Sequence, residues 1–80
     1  MDVENIIEQL KPIDYHRETN CLTLVFESHV VIFFRDWDDE EVMWHVFDNK
    51  QSIEAGVDEE DKIVKILKTY LDNRFSAKKE

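Results

Sequence analysis

The sequence predicts an α+β fold: an N-terminal helix, a three-stranded antiparallel meander with a fourth edge strand as an alternative, and a C-terminal helix. Apolar residues repeat at helical spacing near both ends of the chain, whereas in the middle the period shortens to two. The segments between the predicted strands are short, which suits antiparallel neighbours and makes parallel crossovers unnecessary. Eighty residues, 42% of them hydrophobic, suffice for one core, so residues 1–80 are expected to form a single domain.

The first helix is expected over residues 2–11, where Val3, Ile6, Ile7 and Leu10 form one apolar stripe. Asp2 can cap its free N–H groups, and Pro12 disfavours a helical Lys11 and ends it. Residues 13–20 read as a polar connection. Leu22, Leu24 and Phe26 then alternate with Cys21, Thr23 and Val25, the pattern of a strand. The unbroken run Val30-Val31-Ile32-Phe33-Phe34 predicts a central strand covered on both faces. A third strand is expected at Val42–Phe47. Asp48-Asn49-Lys50 reads as a turn, Gln51–Ala55 as a short edge strand, and Gly56 as a break.

The last helix is expected from Asp58 as N-cap. Glu59, Glu60 and Asp61 lie at its positive end, and Lys65, Lys68 and Arg74 toward its negative end. Ile63, Ile66, Leu67, Tyr70 and Leu71 make its buried stripe, and residues 76–80 are expected to fray. If both helices cover one face of the sheet, the other shows some of Val25, Val31, Phe33, Met43 and His45 to water. Such a patch is expected to be a contact surface.

Composition excludes several classes. No stretch approaches the roughly 18 apolar residues of a membrane span, and Met1-Asp2-Val3-Glu4 lacks the positive start of a secretory signal. One cysteine, Cys21, excludes an internal disulfide framework. The expected location is cytoplasmic, in the producing cell or in a virus-infected host.

No complete catalytic or metal set is found, so the chain is expected to be a non-enzyme without a cofactor. Asp36, Asp38 and Glu40 fit positions 1, 3 and 5 of a calcium loop, but Glu41 and Phe47 stand where Gly and Glu are needed. Of His16, Cys21, His29 and His45, only His16 and Cys21 have the close spacing of a zinc pair. Asp38 with Asp48-Asn49-Lys50 resembles a nuclease pattern. The two acids, however, belong to opposite ends of a strand, on the order of 17 Å apart at about 3.4 Å per residue. Cys21 with His16 or His29 has no third orienting group, and one glycine cannot build a phosphate loop.

Charge is the most informative feature. The chain carries −9, and residues 36–61 hold eleven carboxylates against Lys50. Asp36, Asp38, Asp39, Glu40 and Glu41 flank Trp37 in one predicted loop, and Asp58, Glu59, Glu60 and Asp61 open the last helix. Both groups are expected on one rim of the domain. DNA is repelled by such a surface, but a basic groove that binds DNA would accept it. Trp37 is suited to anchor the contact, the alternative being a ring folded back on the sheet edge.

Small size, the helix Val3-Glu4-Asn5-Ile6-Ile7-Glu8-Gln9-Leu10, a three-stranded meander, acid-rich loops and a closing helix resemble the small phage-encoded anti-CRISPR and DNA-mimic inhibitors. The resemblance is one of organisation and implies that Asp36, Asp38, Asp39, Glu40 and Glu41 face a basic cleft. The chain is accordingly expected to be a non-catalytic inhibitor or adaptor whose partner is a basic protein surface, such as that of a nucleic-acid-binding enzyme. It is expected to bind no nucleic acid directly and no membrane. The alternative is a self-associating domain that dimerises through an apolar sheet face, its acidity serving solubility.

Overall fold

Helical periodicity at the ends and β periodicity between them resolve into two layers. The computed structural model describes residues 1–76. Helix α1 (Val3–Leu10) is followed by strands β1 (Asp14–Arg17), β2 (Cys21–Val25), β3 (Val30–Asp36), β4 (Glu41–Asp48) and β5 (Gln51–Glu59), and by helix α2 (Glu60–Ser76). The strands form one antiparallel sheet in sequence order, with β3 at its centre. The part of the expected frayed end beyond Ser76 lies outside the described residues.

Several boundaries differ from the sequence reading. The polar connection at 13–20 contains β1, whose four residues are all exposed because it is a short edge strand paired only with β2. No apolar alternation marks such a strand. The edge strand expected at 51–55 instead runs on to Glu59, so the sheet has five strands. Gly56 does not break it. That glycine lies opposite Trp44, and a Cβ there would sit 3.3 Å from the indole Nε1. The glycine makes room for an indole rather than for a turn.

Helix α2 therefore starts at Glu60, and Asp58 is a strand residue instead of an N-cap. Ile66 is 42% exposed, and Val64 takes its place in the buried stripe with Ile63, Leu67 and Leu71. At the other end, α1 follows expectation. The Asp2 carboxylate accepts from the Asn5 N–H at 3.1 Å, and Lys11 closes the helix with a φ of 52° before Pro12.

The core follows from strand alternation. Leu22, Leu24, Val30, Ile32, Phe34, Val42, Trp44 and Val46 all point to one face, where Ile6, Leu10, Ile63 and Leu67 pack on them. Both helices thus cover the same side. Val25, Val31, Phe33, Met43, His45 and Phe47 occupy the opposite face and are only half-buried. β3 is central, as expected, but it is covered on one face rather than on both.

The hairpin turns rely on left-handed backbone. Asn49 and Lys50 join β4 to β5 with φ of 52° and 68°, the signs needed by a mirror-image two-residue turn. Ser28 and His29, with φ of 60° and 62°, serve β2 and β3. Ile53 is an extra residue in β5, where the pairing steps from Val46–Glu54 to Phe47–Ser52.

Candidate functional site

The β3–β4 connection is a tight acidic loop. Glu41 has already joined β4, and its carbonyl accepts from the N–H groups of Trp37 (3.1 Å) and Asp38 (3.2 Å). The Asp38 carboxylate accepts from the N–H groups of Glu40 (2.9 Å) and Glu41 (2.7 Å). These backbone donors hold its pKa below the usual carboxylate value. Asp38 is thus a structural residue of the loop as well as a surface charge.

Strand register brings the second acidic segment alongside. Glu41 pairs with Glu59 and Val42 with Asp58, so the end of β5 lies next to the loop. Asp38, Asp39, Glu40, Glu41, Asp58, Glu59 and Lys62 line an open recess of about 550 Å³. Glu40, Glu59, Glu60 and Asp61 line a second one of about 420 Å³. The Glu41 carboxyl is pushed above its usual pKa, first by the charge of Asp38 and then by its hydrogen bond, by burial and by Asp58 and Glu59. Like charges here interact at close range.

Two of the predicted residues have further ties. Asp36 ends β3 on the helix side and pairs with the Met1 amino group at 3.2 Å, which takes it away from the rim. Glu60 accepts from the Asp2 N–H at 2.7 Å, which joins the start of α2 to that of α1. Among the described residues, Lys62 is the one lysine in an ion pair with the rim, 4.0 Å from Asp58. Trp37 stands beside the loop with 61% of its surface exposed.

The remaining candidates are placed by the sheet. Asp48 lies at the far end of β4 from Asp38, in register with Gln51. Its carboxylate accepts from the Tyr70 hydroxyl (2.8 Å) and the Arg74 Nε (2.8 Å). Burial and that bond to Asp48 push the Tyr70 phenol up to about 12. This cluster joins α2 to the sheet, and the sequence reading did not identify it. A signal existed in the i, i+4 spacing of Tyr70 and Arg74, but their shared acceptor is 22 residues or more away.

Cys21 is half-buried across from Arg35, and His16 is exposed and 3.2 Å from Glu18. His45 stacks on Phe47 at 4.2 Å and its Nε2 hydrogen-bonds the Ser52 hydroxyl. Among the described residues no group of three or more His, Cys, Asp and Glu side chains is arranged to hold a metal ion. No helix among them is long and apolar enough to cross a membrane. Comparisons of the chain with protein-family models, curated proteins and solved structures find no match.

Proposed function

We propose that this chain is a non-catalytic binding protein, an inhibitor or adaptor that docks its acidic rim on a basic protein surface. One observation carries the reading. Carboxylates from two separate segments, Asp38–Glu41 and Asp58–Asp61, converge on one rim, with Lys62 as the ion-paired lysine among them. Such crowding costs folding energy through self-repulsion, and a cationic counterpart would relieve it. The exposed Trp37 beside the rim supplies an apolar anchor.

A nucleic-acid-binding site matches this chemistry, because it presents Lys and Arg to a closely spaced row of phosphates. The likeness to phage-encoded anti-CRISPR and DNA-mimic inhibitors belongs to this proposal, as does a cytoplasmic place of action. Lys68 lies instead beside a separate recess with Glu8, Gln9 and Lys11.

The test is capture of proteins from cell extract on the immobilised chain at low and high ionic strength. It is run beside the triple variant Asp39→Lys, Glu40→Lys, Glu59→Lys, with Asp38 kept because it holds the loop. The expected result is a basic protein retained at low salt, released by high salt or by duplex DNA, and absent from the variant. Retention by a folded variant equal to that of the parent would remove the rim from the reading.

A further inference from the structure

We propose that the open face of the sheet is covered by a second copy of this chain. The two copies would be related by a two-fold axis that crosses the strands at the Phe33–His45 pair. This surface shares Trp37, Glu41 and Glu59 with the rim, but the proposal does not rest on the rim contact above.

Charge restricts where two copies can meet. The chain carries −9, and most of its outer surface repels its own kind. The centre of the open face is the exception, with Asp14, Glu41 and Glu59 at its edges. That centre consists of Val25, Val31, Phe33, Met43 and Phe47 with His45, and Arg35 is the charged residue that borders it on β3. Strands of four to nine residues, about 4.8 Å apart and rising about 3.4 Å per residue, give a footprint on the order of 550 Å² per copy. A standard stable interface covers about 800 Å² of accessible surface per partner, so the flat face supplies roughly two-thirds of that and the Trp37 contact at each end adds to it.

The two ends of the face are complementary. Phe33 and His45 face each other across β3 and β4. Four residues above Phe33, just past the end of β3, is Trp37, and four below it, just before the start of β3, is His29. Asp36 turns toward the Met1 amino group on the helix side, so alternation carries Trp37 to the open side. Four residues above His45 is Glu41, beside Glu59, and four below it is Asn49, next to Lys50.

At that lower end Val25, Val31, Phe47, His29 and Lys50 line a hollow of about 590 Å³, with Glu27 as the carboxylate on its lining. An axis across the strands lays the upper end of each copy over the lower end of the other. It seats Trp37 in the partner's hollow and brings Glu41 and Glu59 to the partner's Lys50, twice by symmetry. An axis along the strands would instead stack the two acidic ends.

Trp37 is then buried in the dimer and exposed in the monomer. Docking of a basic partner through Trp37 and self-association exclude each other.

The experiment is sedimentation equilibrium of the full chain from low to high micromolar concentration, with tryptophan emission recorded alongside. Trp44 is already buried, so a blue shift on association reports Trp37. The expected mass rises from 9.6 kDa to twice that value. Phe33→Asp, confirmed as folded by circular dichroism, is expected to weaken association about a hundredfold. Lys50→Glu is expected to weaken it roughly tenfold, and adding Glu59→Lys to restore it. A monomer at every concentration overturns the proposal and leaves the face to a different protein. A dimer that folded Phe33→Asp and Lys50→Glu both leave unchanged also overturns it.

Discussion

At the scale of single residues, Gly56 and Glu41 show how neighbours decide what a residue does. Gly56 has ordinary strand backbone, and its missing side chain is the space used by the Trp44 indole. Gly56→Val is expected to destabilise the fold by about 1–3 kcal/mol, the cost of overpacking a filled site, measured by urea unfolding. Stability equal to the parent would mean that the indole moves aside freely. Glu41 carries the opposite lesson. Its pKa is raised, so its contribution is fully present below the unfolded value and is lost as pH rises through the folded one. At neutral pH it strains the rim. Glu41→Gln is expected to raise the thermal midpoint at pH 7 and to lose that advantage in acid. A lower midpoint at pH 7 would contradict the crowding argument.

At the scale of elements, the contact that the sequence hid is the bond between the end of β4 and α2. Asp48 holds Tyr70 and Arg74, side chains one turn apart on the helix, and so fixes its C-terminal half on the sheet. The Tyr70 pKa is raised to about 12, so its stabilising contribution holds below its unfolded value near 10. It is lost between about pH 10 and 12. Tyr70→Phe is expected to cost about 1 kcal/mol near neutrality, the worth of one hydrogen bond, and to flatten the alkaline loss over that range. The check is the difference in unfolding midpoint between parent and variant across that pH range. A difference independent of pH would assign the alkaline transition to other groups.

At the scale of the whole molecule, the fold is a two-layer sandwich with its net charge gathered at one end. Self-repulsion of that kind is screened by salt, because the Debye length falls from about 30 Å at 0.01 M to about 8 Å at 0.15 M. The thermal midpoint is expected to rise over this range, as scanning calorimetry would show. A fall would mean that attractive pairs such as Lys62–Asp58 outweigh the repulsion among the carboxylates.

The α+β class, both helices, the central position of β3 and the course of three strands are readable from the sequence. They depend on the period of apolar residues, which is local. The acidic rim was half readable. Each segment announced itself, but Asp36 left the rim for the Met1 amino group, a partner 35 positions away. Strand β1 and the extension of β5 through Gly56 to Glu59 were hidden because an edge strand buries little and so leaves no alternation. Placing both helices on one face, joining Glu41 to Glu59 and leaving Phe33 and Met43 open required the tertiary structure. Those arrangements depend on which surfaces meet, and short-range periodicity fixes which residues share a face but not what lies against that face.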